Sequence, residues 1–203
     1  MKQNDILGIV PSQYTGKEIA AESTVELFNE NEASAFYEIV KQRLLHVNNW
    51  HQLAGLISAK FKLIDGAGNE VDRSVQLGDL FKIDIPGPGS SEGDGYDWVA
   101  IEELKEHSTE GIQSIGFRVR PTNNPYGKKN ETAHFYSDES TSTFIVIREG
   151  NIITATIIDR NIKPNTHAGS ITDKVRDTAV GIGAMGIFSK IQWQSLAEGL
   201  VKN

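Results

Sequence analysis

His134 and Tyr136 lie two residues apart in a stretch, 132–136, whose composition predicts a strand, so the two side chains would share one face. An imidazole beside a phenol could pass a proton to a bound molecule or hold its polar end. Arg118 and Arg120 are spaced the same way and offer guanidinium forks suited to a carboxylate or phosphate head group; the ordinary alternative is an exposed, salt-bridged strand face. Asp97 is the acidic partner that general acid/base chemistry would need. No catalytic signature forms around these candidates. The chain has no cysteine, which excludes thiol nucleophiles, thiolate metal sites and disulfides. Its five histidines have no ligand spacing: His46 and His51 straddle a helix break, and His134 with Asp138 is weak spacing for a metal. Glu92, Asp94 and Asp97 sit in a glycine-rich loop without the calcium-loop order, and no serine occupies a nucleophile elbow. No metal and no cofactor is expected, and the residues alone leave open whether the chain is an enzyme.

Composition narrows the field of partners. With 203 residues, 38% hydrophobic and 23% charged, the chain can bury one sizeable core, and one domain is expected. A net charge of -7, with the 20 Lys and Arg scattered, argues against nucleic acid. The apolar patch at residues 6–10 stops at Pro11, too short for a signal-peptide core or a membrane span, so a cytoplasmic location is expected. Residues 1–22 read as an N-terminal arm, lying along the domain or reaching to a second subunit, and 23–203 as a single domain.

The elements that must position the candidates follow from periodicity. Residues 24–28 alternate as a strand; Asn29 with Glu32 marks a helix start, and Phe36, Val40, Leu44 and Val47 repeat at helical spacing. A short helix over 50–55 follows. Strands are predicted over 57–64, 70–75, 80–85, 96–104, 112–120 and 132–136, with long loops at 86–95 and 121–131. A last hairpin, 141–159, turns at Gly150-Asn151. Its register sets Ile147 opposite Thr154, Ile145 opposite Thr156 and Thr143 opposite Ile158 on one face, and Val146 opposite Ala155 and Phe144 opposite Ile157 on the other. Both faces are partly apolar, so a helix must cover one and a second layer, a cavity or a subunit the other.

A long helix over about 171–201, capped by Ser170 with Asp173, closes the chain. Its middle, Val180-Gly181-Ile182-Gly183-Ala184-Met185-Gly186-Ile187-Phe188, is apolar all round. Three glycines there, each costing about 1 kcal/mol against alanine, imply close backbone approach or open space beneath the helix. The same residues spell GxGxxG, but no strand precedes them and no acidic residue follows at the required distance, so small-residue packing is the reading.

This order of elements resembles the helix-grip superfamily of START, polyketide-cyclase-like and pollen-allergen-like lipid-binding domains, over roughly residues 23–202. Asn49-Trp50 is similar to the Asn-Trp often found after the first helix in polyketide-cyclase-like members, and Gln76-Leu77-Gly78-Asp79 before Leu80-Phe81-Lys82-Ile83 looks like their "vGd" lead-in to a strand. The resemblance implies an α+β fold: a curved antiparallel β-sheet wrapped around a long C-terminal α-helix, one or two short helices after the first strand, and an apolar cavity between sheet and helix. It implies no single activity. The leading reading is a noncatalytic or weakly catalytic protein binding a small, apolar or amphipathic molecule. Trp50, Tyr96, Trp98, Phe117, Phe135, Met185, Phe188 and Trp193 are its candidate walls, one of Arg118, Arg120 or His134 its polar anchor, and the loop 86–95 a mobile lid. The second reading is an enzyme of polyketide-cyclase or hydrolase type using His134, Tyr136 or Asp97. The third is an interaction module in which arm and hairpin pair with a second copy of the chain, a homodimer.

Overall fold

The hairpin at Gly150-Asn151 anchors the architecture, and its register is the one the alternation predicts, pair for pair from Thr143↔Ile158 to Ile147↔Thr154. Gly150 has φ of +61°, as the first loop position of a II′ turn requires. The computed structural model describes residues 5–55, 59–85, 93–127, 131–165 and 179–203, and only the backbone over 179–185. In chain order the elements are β1 (Lys17–Glu26), α1 (Glu30–Leu45), a 3-10 turn (Val47–Asn49), α2 (Trp50–Ala54), β2 (Lys60–Ile64), β3 (Leu80–Asp84), β4 (Asp97–Thr109), β5 (Ile112–Pro121), β6 (Thr141–Glu149) and β7 (Ile152–Ile162), followed by a C-terminal helix, α3 (Ala179–Leu200). The strands form one antiparallel sheet in the order β1-β7-β6-β5-β4-β3-β2.

Local chemistry explains where the helices start and what they bury. Asn29 caps α1 by accepting from the Glu32 amide at 2.9 Å, and Ala33, Phe36, Tyr37, Val40 and Leu44 face the sheet. Trp50 then wedges between helix and sheet. Its indole donates to the Leu44 carbonyl at 3.1 Å, and its ring lies 4.8 Å from Phe144 and 5.1 Å from Phe61, centre to centre. Such ring pairs contribute about 0.5–1.5 kcal/mol each beyond their buried area.

Three expectations need correction. The first strand starts at Lys17 and pairs with β7, so residues 17–22 belong to the sheet and not to an arm. Residues 70–75 make no strand beyond an isolated bridge from Glu70 to Ile64. Side chains hold that segment instead: Asn48 bonds both the Val71 carbonyl and the Leu63 amide, and Arg73 makes a two-pronged pair with Asp79, which also accepts from the Gln76 amide. Residues 132–136 are likewise threaded and unladdered, with isolated bridges at Thr132 and Tyr136. The expected Ser170 and Asp173 cap, and residues 86–92 of the expected lid over 86–95, lie outside the described residues.

The sheet is covered on both faces. Its inner face packs Phe61, Phe81, Ile101, Phe117, Phe144 and Ile157 against the helices. On the outer face, Leu7 and Ile9 from the N-terminal segment sit on Ile145 and Ile147. Asp5 folds that segment by accepting from the Ile9 and Val10 amides, and Arg118 ties it down through the Ile9 carbonyl at 2.7 Å. The two-sided apolar hairpin thus has a helix side and a side filled by the chain's own beginning.

Candidate functional site

Between the inner face and α3 the packing leaves a cavity of about 50 Å³. Its apolar wall is made by Phe61, Phe81, Val99, Val119, Phe144, Phe188 and Trp193, and its polar wall by His134, Tyr136, Ser142, Asp159, Ser189 and Gln192. The strands deliver these groups by parity. On the face that carries Phe144↔Ile157, the next pair along the hairpin is Ser142↔Asp159, which puts a hydroxyl and a carboxyl where the apolar ladder would otherwise continue.

Asp159 is 2% exposed. Its Oδ2 accepts a 2.8 Å hydrogen bond from the Trp193 indole, while its Oδ1 is buried without one. Burial pushes its pKa up to about 6, against the opposing help of Ser142 and Trp193. A carboxyl poised there can take up or release a proton near neutrality. His134 is the opposite case: burial pushes it down to about 3, so the ring stays neutral. Its Nδ1 accepts from the Tyr136 amide at 2.9 Å, which leaves the proton on Nε2. The Tyr136 hydroxyl lies 3.2 Å from Ser189 Oγ on α3, and burial first, then the Asp159 charge, raises its pKa to about 12 despite the Ser189 bond. Gln192 accepts from the Ala59 amide at 3.1 Å, fixing the pocket's edge to the start of β2.

The residues singled out from sequence are divided by the fold. His134, Tyr136, Phe135, Phe188 and Trp193 line the pocket. His134 and Tyr136 arrive there on an irregular segment, held by Asn165 bonds to the Thr132 and His134 carbonyls, and not by strand alternation. Trp50 and Phe117 are aromatic core, Phe117 stacking 5.1 Å from Phe144, and neither lines the pocket. Trp98 and Tyr96 belong to a separate cluster with Ile64 and Ala133, where Tyr96 lies under the Lys82 ammonium at 4.2 Å. The Met185 side chain lies outside the described residues.

Arg118 and Arg120 face away from the pocket. Both pair with Glu102, and Arg118 also reaches Glu103 at 2.8 Å. Burial works against ionising Glu102, but the Arg120 and Arg118 hydrogen bonds outweigh it and hold the pKa below its usual value. A β-bulge between Ile101 and Glu103 supplies the extra carboxylate that makes this cluster. Asp97 is buried with its Oδ1 on the Phe135 amide at 3.1 Å and does not line the pocket; burial pushes its pKa up to about 7. Sequence reasoning passed over Asp159, Ser142, Ser189 and Gln192. The hairpin register already placed the first two, since extending it by one pair puts both on the Phe144 face.

No family model and no curated protein matches this sequence. Solved structures do. A hypothetical protein from Helicobacter pylori is 12% identical, with 90% of this chain and 87% of that chain covered at a TM-score of 0.50. A truncated norcoclaurine synthase from Thalictrum flavum is 10% identical, covering 95% and 99% at 0.37, and major latex-like protein 151 from Panax ginseng is 14% identical, covering 87% and 97% at 0.34. At these identities the likeness is one of fold. With its seven-stranded antiparallel sheet, two helices after the first strand and C-terminal helix across the inner face, this chain has the helix-grip fold.

Proposed function

We propose that the protein binds a small, largely apolar molecule in the pocket between the sheet and α3, with the molecule's polar end among Ser142, Tyr136, Asp159 and Ser189. The observation that carries this reading is open space inside an otherwise close-packed interior, bounded by aromatic rings on one side and by a carboxylate oxygen without a partner on the other. Protein interiors leave few voids larger than a water molecule. The anchor in this reading is Asp159 and its neighbours, not Arg118 or Arg120, whose charges are spent on Glu102 and Glu103 at the opposite face. The interaction reading loses part of its surface, because residues 5–10 already cover Ile145 and Ile147.

Native mass spectrometry of protein purified from its own cells, compared with the same sample unfolded, tests this. A small molecule that is lost on unfolding is expected. Ser189→Phe, which fills the pocket from α3, should cut its recovery at least fivefold with the circular dichroism spectrum retained. Bare protein that also leaves the fluorescence of an anilinonaphthalene probe unchanged would remove the reading, and a clean dimer mass in that case would favour assembly.

A further inference from the structure

The polar end of the pocket is chemically one-sided. Asp159 is buried with its Oδ1 outside hydrogen-bond geometry, and the uncharged Ser142 hydroxyl, opposite it in the register, interacts with the carboxyl and eases its ionisation. Among the described residues lining the pocket there is no Lys or Arg, and His134 is held neutral by burial. A carboxylate taken out of water without a counter-charge is costly, and a missing donor adds to the cost. What the described residues of this wall do not supply is a positive charge.

We infer that the ligand is a small amphipathic amine whose protonated nitrogen donates to Asp159 Oδ1 while its apolar body lies against Val119, Phe144 and Phe188. This rests on the binding reading above. An ammonium supplies both the donor and the charge, an alcohol only the donor, and a carboxylate would add a second negative charge beside the first. The Ser142 and Tyr136 hydroxyls stand on the same wall and can accept the remaining N–H groups.

Calorimetric titration at pH 7.5 with hexylamine, hexan-1-ol and hexanoate, on the wild type and Asp159→Asn, tests the assignment. Hexylamine is expected to bind at least tenfold more tightly than hexan-1-ol, with hexanoate weakest. In Asp159→Asn, whose amide oxygen still accepts from Trp193, the amine-to-alcohol ratio should fall to about one. Because that variant alters a buried group, the wild-type pH profile gives an independent readout. Among the described residues, the titratable groups facing Asp159 across the pocket are His134 and Tyr136, held at about 3 and about 12, and α3 contributes the uncharged Ser189, Gln192 and Trp193 there. Amine affinity should thus rise about tenfold from pH 5 to 7.5 as Asp159 ionises, with no matching rise for the alcohol. Equal binding of all three probes, or hexanoate tightest, would overturn the amine assignment and leave the binding reading standing. No binding by any probe would overturn both.

Discussion

Burial displaces Asp97, Asp159 and His134 from their usual ranges, and the three pull stability in different directions with pH. Asp97 has a folded pKa of about 7 against an ordinary 3.8, so the folded state holds its proton more tightly than the unfolded chain. Its contribution is fully present below pH 3.8 and is lost as pH rises to 7. Asp159 follows the same sign up to about 6. His134, held at about 3 against 6.5, runs the other way: its stability is present above 6.5 and is lost as pH falls toward 3. Asp97→Asn isolates one of the three, since the amide oxygen can still accept from the Phe135 N–H. Urea unfolding of both proteins should show the wild type losing roughly 2–4 kcal/mol relative to the variant between pH 4 and pH 7. Parallel stability curves would contradict a buried, unpaired Asp97. The sequence offered Asp97 and His134 as acid/base candidates, but a titration range depends on burial, and that is set by residues far away in the chain.

At the scale of elements, the glycines of α3 show what spacing can and cannot say. The apolar, glycine-rich middle of the helix implied close approach or open space beneath it; at Gly186 a Cβ would meet Ile19 Cδ1 at an ordinary 3.9 Å, neither a clash nor a void, and the surroundings of Gly181 and Gly183 lie outside the described residues. The close approach is at Gly199, where a Cβ would fall 2.3 Å from the Leu53 carbonyl oxygen of α2. Backbone at that distance cannot swing aside as a long side chain would. Helix propensity favours alanine over glycine by about 1 kcal/mol at either site, so contact decides the sign. Gly186→Ala is expected to be neutral or to stabilise by up to about 1 kcal/mol, whereas Gly199→Ala should destabilise by about 1–3 kcal/mol by separating α2 from α3. Chemical denaturation of the pair checks this, and equal effects would mean that the crossing is looser than described. Nothing in the pattern of α3 distinguished Gly199, since its partner Leu53 sits 146 positions away in sequence.

For the molecule as a whole, the sheet separates two chemistries on its two faces. The outer face carries the Arg118, Arg120, Glu102 and Glu103 cluster and the docked N-terminal segment; the inner face carries the pocket. Arg118→Met should therefore cost about 1–3 kcal/mol in unfolding experiments, through the lost Ile9 carbonyl bond and the stranded glutamates, yet leave hexylamine affinity within about twofold of wild type. A large loss of affinity with intact stability would return the anchor to the arginines. The amino-acid sequence by itself determined what depends on near neighbours: the capped first helix, the two-residue turn at Gly150-Asn151, the hairpin register, and the order of elements that resembles a helix-grip protein. Period-2 alternation sorts residues onto two faces, because the pleat leaves no other option. It does not say which face looks inward. That choice was made by the tertiary structure, through helices α1 to α3 packing on the Phe117 and Phe144 side and residues 5–10 packing on the other. Asp159 thereby became the polar group of the pocket and Arg118 a clasp for the chain's beginning.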